Sequence, residues 1–326
     1  MNQVHFWEFV HEGIRAGEPL MLLLVVASGG SSPGKPGFKM AVTIRGERHG
    51  TIGGGAVEKD LADKAAALLA RGSGRVRLLK LLHHEGPTGK TAASRRSGMI
   101  CSGWQQVALL PLNAGDGDAV DSLLFALKRN RPGRLQLSPR GLEFQPGKKG
   151  GGAFTARSAA EWTYREETGQ RPTLTIIGGG HVGLALSRVM AGLDFHVRVL
   201  DDREDLATMA DNAFAQEKHV VSFRSVGRLV EEGDMSYVVI MTYGHQADEK
   251  VLGQLLRKKL RYLGLLGSPA KNAAIFARLE KKGFSGRALG RVRAPVGLAI
   301  HSHTPEEIAI SIAAEIIQEK NRPKQT

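Results

Sequence analysis

The sequence predicts an α/β protein of two units, a mixed α/β domain over residues 1–160 followed by a doubly wound parallel-sheet domain over residues 161–326. Three observations carry that prediction. The 326 residues are too many for one small core and suit two domains of ordinary size. After residue 172, near-continuous apolar strands alternate with amphipathic helices, the pattern of a parallel sheet covered on both faces. Within that half, Gly178, Gly180 and Gly183 fit G-x-G-x-x-G where the buried strand "TLTIIGG" meets a helix, which makes the second domain Rossmann-like.

Each element follows from local chemistry. Phe6, Phe9, Val10 and Ile14 recur at helical spacing, and Gly17 and Pro19 end that helix. Residues 20–27, "LMLLLVVA", read as a buried strand. The run is far too short to span a bilayer, and Glu12 and Glu18 precede it where a signal peptide would be basic. The glycines and prolines of "SGGSSPGKPGFK" forbid regular structure. "MAVTIRGERHGTI" reads as two short strands around a turn at Arg45-Gly46-Glu47. A helix follows over about residues 56–71, with Val57, Leu61, Ala65 and Leu68 on one face. "GRVRLLKLL" and "WQQVALLPL" read as strands and "DAVDSLLFALKRN" as a helix. From 138 to 172 the pattern weakens into Gly, Pro and Lys, which predicts the domain boundary there. Beyond it come helix 181–193, strands "HVRVLD", "HVVSF" and "SYVVIMTY", helix 246–259, strand "YLGLLGS", helix 270–282 and a final helix from 305 to about 320.

Composition narrows the function classes. Hydrophobic residues are 42% and charged residues 24%, a globular balance. Lysine and arginine exceed acids by 45 to 32, and a field of charge +13 favours anionic partners. Nucleic acid is not the expected anion. The basic residues are scattered in pieces such as Arg95-Arg96, Lys148-Lys149 and Arg257-Lys258-Lys259, with no zinc-finger spacing, basic zipper or aromatic-rich RNA signature. The single cysteine, Cys101, excludes an intrachain disulfide framework and predicts a cytoplasmic protein.

Two glycine runs open helices, and they differ in kind. At the second, Gly178 permits a tight turn, Gly180 lets a pyrophosphate approach, and Gly183 lets helix and strand pack closely. His181 stands at the helix start, where free N–H groups favour phosphate. Asp201-Asp202 ends the next strand, placed for ribose hydroxyls, so NAD is preferred over NADP. His245 and Asp248, with Thr242 and Tyr243, follow a parallel strand at its ligand-binding end. In the first run, Gly53, Gly54 and Gly55 are followed by Glu58 where the fingerprint needs glycine. A carboxylate in the first helical turn stabilises the helix dipole and competes with phosphate. It suits instead the N–C–N edge of a pterin or guanine, through two parallel hydrogen bonds. Cys101, in a glycine-flanked loop, is either a buried small hydrophobe or the chain's one soft ligand and sulfur nucleophile. His301 and His303 precede Thr304-Pro305-Glu306-Glu307, which reads as a capped helix start rather than a metal pair.

"GGSSPGKPGFKMAVT" with "GTIGGGAVEKDL" resembles the amino-terminal signature of the XdhC/CoxI family, accessory proteins of xanthine dehydrogenase and related molybdenum hydroxylases. "LTIIGGGHVGLAL", "VVIMTYGHQADEKVL", "YLGLLGSPAKNAAIFARL" and "RVRAPVGLAIHSHTPEEIAISIAAEII" resemble that family's carboxyl-terminal Rossmann domain in order and spacing. Pro269 departs from the arginine usual after "GS", and Ala299 and His301 from an acid and a glycine in "GLDIG". The resemblance implies a maturation chaperone rather than a catalyst. It would bind the molybdenum cofactor, support its sulfuration with a cysteine desulfurase, and deliver it to a xanthine dehydrogenase-type hydroxylase. Carried over by position, Gly30, Ser31, Ser32, Pro33 and Gly37 form the first cofactor loop, and Gly53, Gly54, Gly55 and Glu58 the second. Cys101 falls in a Cys-Gly-Gly position as metal ligand or sulfur carrier, with Ser102 replacing the first glycine. If the molybdopterin carries a cytosine dinucleotide, Gly178, Gly180, His181, Gly183, Asp201 and His245 would read the nucleotide part. The alternative is a NAD-dependent oxidoreductase with His245 as proton-transfer group. A homodimer is compatible with either.

Overall fold

The computed structural model describes residues 2–83 and 103–322. The chain divides into two units after Gln170.

In the first unit, helix α1 (Gln3–Arg15) buries Phe6, Trp7, Val10 and Ile14. The central strand β1 (Leu20–Gly30) is flanked by β2 (Lys39–Thr43) and β3 (Arg48–Gly50) on one side. On its other side lie β5 (Gly103–Leu112) and β4 (Arg77–His83), in an antiparallel sheet of order β3-β2-β1-β5-β4. The run "LMLLLVVA" lacks alternation because both faces of β1 are covered. Leu20, Leu22, Leu24 and Val26 face a core built with α1 and α3 (Gly117–Lys128), while Met21, Leu23 and Val25 face α2 (Gly55–Ala70). Each such side chain contributes roughly 1.5–3 kcal/mol on burial, so β1 fixes the register of its neighbours.

Residues 133–168 form no linker. They make a second antiparallel sheet, β6 (Gly133–Ser138), β7 (Gly141–Pro146), β8 (Ala153–Ser158) and β9 (Glu161–Thr168), in the order β7-β6-β9-β8. Leu135, Leu137, Leu142, Trp162 and Tyr164 join the α1/α3 core. The division therefore falls after residue 170 rather than 160, because β9 pairs with β6 inside the first unit.

The second unit is a parallel five-stranded sheet. Strands β10 (Thr173–Ile177), β11 (His196–Asp201), β12 (Glu217–Val220), β13 (Gly233–Ile240) and β14 (Leu260–Leu265) lie in the order β12-β11-β10-β13-β14. Helices α4 (His181–Gly192) and α9 (Pro305–Lys320) cover one face with Leu186, Met190, Ile312 and Ile316. Helices α6 (His245–Leu255) and α7 (Pro269–Lys281) cover the other with Val251, Leu252, Ile275 and Leu279. Two one-turn helices, α5 (Ala207–Ala210) and α8 (Gly286–Leu289), complete the unit. Strand order 3-2-1-4-5 with helices on both faces is the Rossmann-like arrangement, whose ligands bind outside the carboxyl ends of the strands where the order reverses. Among the described residues no helix is long and apolar enough to cross a membrane.

Candidate functional site

In the first unit, two loops meet at one end of the strands: residues 31–38, between β1 and β2, and residues 51–54, between β3 and α2. They touch backbone to backbone. A Cβ on Gly53 (φ +130°) would stand 2.7 Å from Gly34 N, and one on Gly34 would stand 2.2 Å from the Ile52 carbonyl oxygen. Only glycine permits both. From β5, the buried Gln105 side-chain oxygen accepts the Gly34 N–H at 3.2 Å and lies 3.2 Å from Ser32 Oγ. Gly103 presses beneath Ser31, where a Cβ would come within 2.6 Å of its carbonyl oxygen. Beyond the loop, the buried Lys39 ammonium pairs with Glu166 at 2.6 Å, and Glu166 accepts the Tyr164 hydroxyl at 2.9 Å.

Of the expected loop residues, Pro33 is thus brought against Gly53, and Gly34 against Ile52 and Gly53; Gly37 faces Glu166 and Tyr164 instead, and Gly54 has open space around it. Glu58 departs from expectation. Its Oε2 accepts three donors: Thr51 Oγ1 at 2.6 Å, Ile52 N at 2.8 Å and Gly54 N at 2.9 Å. Burial raises its pKa, but these bonds and the nearby Arg48 charge outweigh burial and hold it below the ordinary carboxylate value. The carboxylate is first a clamp on its own loop, so one oxygen, Oε1, is left for a ligand edge rather than two. Cys101 lies outside the described residues.

The fingerprint loop of the second unit joins β10 to α4. Gly178 (φ +121°) lies against β13's end, where a Cβ would be 2.2 Å from the Met241 carbonyl oxygen. A Cβ on Gly183 would be 2.4 Å from the Gly178 carbonyl oxygen, so the helix could not close on the strand. Gly180 faces open space and caps α4 with no side-chain bond, leaving first-turn amides for an anion. His181 is the exposed first residue of α4. Thr208, on α5, donates to the Gly179 carbonyl at 2.5 Å and pins the loop from the other side.

Asp201 is not free for ribose. It is fully buried. Oδ2 accepts Gly179 N at 2.7 Å and Arg203 Nη2 at 2.8 Å, and Oδ1 accepts Arg203 Nε at 2.8 Å and Arg203 N at 3.0 Å. Burial pushes its pKa up, but the Arg203 and Gly179 bonds outweigh that and lower it. The acid holds the glycine loop in shape and spends its acceptors there. Asp248 is internal too: it is buried, accepts Thr242 Oγ1 at 2.6 Å and pairs with Lys271 at 2.6 Å. His245, in contrast, is exposed as the first residue of α6, four residues beyond the Met241 carbonyl that Gly178 packs against. His301 and His303 precede a complete capping box, Thr304 with Glu307, and Pro305 is in the first turn. Pro269 opens α7 in the same way behind the Ser268 cap. No group of three His, Cys, Asp or Glu residues that could hold a metal ion is found among the described residues.

Gln105, Gly34 and Arg203 were not singled out from the sequence. Arg203 was readable as a cation two residues beyond the acid. Gln105 was readable as a polar residue inside an apolar strand.

Comparison with known proteins agrees with both halves of this geometry. The model of the XdhC and CoxI family matches residues 14–81, which hold both amino-terminal loops. The XdhC Rossmann domain matches residues 174–316, which hold the fingerprint. The chain is 35% identical over 156 residues to the uncharacterized protein YqeB of Escherichia coli (strain K12), covering 47% of this chain and 28% of that protein. It is 31% identical over 155 residues to a probable subunit of xanthine dehydrogenase of Bacillus subtilis (strain 168), covering 47% of this chain and 44% of that one. The chain thus spans less than half the length of either relative. Against the molybdenum cofactor insertion chaperone PaoD of Escherichia coli (strain K12), identity is 22% over 309 residues, 94% of this chain and 86% of that one. A crystal structure described as a xanthine dehydrogenase from Bacillus halodurans superposes with a TM-score of 0.77 at 23% identity, covering 99% of this chain and 97% of that one, which shows a shared fold. With one family signature on the paired glycine loops and the other on the fingerprint of the parallel sheet, the chain belongs to the XdhC and CoxI family.

Proposed function

We propose that this protein binds the molybdenum cofactor and serves the maturation of a xanthine dehydrogenase-type molybdenum hydroxylase. The observation that carries the reading is the match to a molybdenum cofactor insertion chaperone along 94% of the chain, which includes both glycine loops. The residues fit such a group. The amino-terminal loops present exposed Ser31 and Gly55 over a backbone that Gly34, Gly53 and Gln105 hold rigid. Glu58 Oε1 would accept one N–H of the pterin edge. In the second unit, taken by itself, the open α4 amides at Gly180 and the exposed His181 are suited to a phosphate group. When bound, the cofactor supplies a molybdenum centre whose oxo ligand is exchangeable for sulfur. The chain's part is to hold the pterin, keep water from it and present it. We assign Cys101 to the metal or its sulfur, a cysteine desulfurase to the sulfur supply, and delivery to the apo-hydroxylase to the cytoplasm.

The oxidoreductase alternative requires NAD. Asp201, the residue expected to anchor the ribose, has both oxygens taken by Arg203 and Gly179, which weighs against it.

The test uses protein expressed in a cofactor-producing host, assayed for bound molybdenum and fluorescent pterin oxidation products. Near-stoichiometric amounts of both are expected, with metal reduced at least tenfold in Cys101→Ala. Absence of pterin from the wild-type protein, together with saturable NAD binding, would overturn the reading in favour of the oxidoreductase.

A further inference from the structure

Beyond the fingerprint, the second unit holds a cavity of about 380 Å³ at the carboxyl ends of its strands. It is lined by Asp202 after β11, Phe223 and Arg224 after β12, and Tyr243, His245 and Lys250 after β13. Its size is that of small-ligand sites. Two aromatic rings form part of its wall: Phe223 is buried, Tyr243 is 64% exposed, and their centroids are 6.2 Å apart.

Asp202 has acceptor capacity that the chain does not use. Its Oδ2 is held only by the Tyr243 hydroxyl, at 3.1 Å, and its Oδ1 is buried with no hydrogen-bond partner among the described residues. A buried acceptor without a donor is an open demand for one. Arg203 lies over the outer Tyr243 ring, 5.1 Å from its centroid, so the tyrosine stands across the acid as a placeholder. Arg224 and Lys250, also on the lining, meet no carboxylate among the described residues, and the cavity holds no further acid. The neighbouring Asp201 bonds Gly179 N, which puts this cavity beside the open α4 amides.

We propose that the cavity takes the nucleobase of a nucleotide, that the base carries an exocyclic amine, and that Asp202 rather than Asp201 reads it. The amine displaces the Tyr243 hydroxyl and donates to the Asp202 carboxylate. The ring lies along Phe223 and Tyr243, and the phosphates extend to Gly180. This deepens the proposed function, on which it rests, because a dinucleotide form of the cofactor supplies such a nucleotide. A carboxylate only accepts hydrogen bonds, so a base with oxygen at the amine's position loses that contact and sets an acceptor against the acid, and it binds more weakly.

The test is calorimetric titration of the full-length protein, free of molybdenum cofactor, with two pairs of nucleotides that exchange an exocyclic amine beside a bare ring nitrogen for a carbonyl oxygen beside a ring N–H: cytidine and uridine 5′-diphosphate, and adenosine and inosine 5′-diphosphate. The amine-bearing member of at least one pair is expected to bind at least tenfold tighter. Asp202→Asn should reduce that preference below threefold, while Tyr243→Phe, which removes the competing hydroxyl, should keep or enlarge it. Melting curves check that both variants fold. Equal affinities within both pairs, affinity no better than that of inorganic pyrophosphate, or no binding would each overturn the proposal. Because the titration uses free nucleotides, such a result leaves the molybdenum and pterin assay to decide the chaperone reading by itself.

Discussion

Glu58 and Asp201 show how a residue placed for ligand chemistry can serve the loop that carries it. Each is an acid beside a glycine turn, and each folds back onto backbone N–H groups of that turn. For Glu58 the consequence is measurable. Hydrogen bonds to a charged group contribute about 1.5–3 kcal/mol, and the half-exposed site lowers that, so Glu58→Ala is expected to destabilise the protein by about 1–2 kcal/mol. Glu58→Gln, which keeps one acceptor oxygen, should cost less. The pH dependence has a definite sign. The folded-state pKa lies below the ordinary 4.5, so the unfolded chain takes the proton first as pH falls. The stabilisation is fully present above 4.5 and is lost as pH drops through the lowered folded value. Urea unfolding at pH 7 and at pH 3.5 checks this: the gap between wild type and Glu58→Gln should narrow at the lower pH. A gap that widens would mean the carboxylate is not clamped.

At the scale of elements, the second unit's strands and helices were legible because period and length agreed: short apolar runs, glycine turns, then amphipathic helices. Strand β12 was harder to place, since most of its residues are exposed and it lacks an apolar period; the sequence put it two residues late. The β6–β9 sheet was missed although β6 and β9 alternate buried and less buried residues, because its strands are short and divided by Gly- and Lys-rich turns, and β8 has no buried side chain. In the site, Gly53, Gly178 and Gly183 meet backbone that a Cβ would strike, whereas Gly180 stands open to a ligand, and both uses of glycine show as glycine-rich turns before a helix. The Arg203 bond to Asp201 was not, because a sequence shows which acid ends a strand but not whether its oxygens are spent. Two predictions belong here. Gly183→Ala forces α4 off the Gly178 carbonyl and should cost about 2 kcal/mol or more, lowering the melting temperature by several degrees. An unchanged melting temperature would show that the helix and turn are not in such close contact. At the opposite end of the sheet, Glu217 holds His196 at 2.7 Å and Arg198 at 2.6 Å. Burial raises its pKa, but Arg198 and His196 outweigh this and bring it to about 2. Its contribution should be complete above pH 4.5 and fade as pH falls toward 2, so Glu217→Gln should flatten the acid limb of the stability curve measured by circular dichroism.

At the scale of the whole molecule, the four apolar clusters sort cleanly by unit. The two that flank β1 draw no residue beyond Tyr164, and the two that flank the parallel sheet draw none before Leu174. One family match lies wholly within the first unit and the other wholly within the second. A unit whose strands are all paired internally and whose sheet is covered on both faces by its own helices has what a domain needs to fold alone. Residues 171–326, expressed separately, are therefore expected to give one cooperative thermal transition and a dispersed amide NMR spectrum. The same fragment carries the fingerprint loop, Asp202, Tyr243 and the whole lining of the nucleotide cavity. If it folds, it should reproduce the preference of the intact chain for amine-bearing nucleotides within about threefold, because no residue of the first unit lines that cavity. It should retain no molybdenum and no pterin, since the paired glycine loops and Cys101 belong to the other half. A folded fragment that lost nucleotide discrimination would mean that the base is read by residues before 171, and the cavity beside Asp202 would then not be its site.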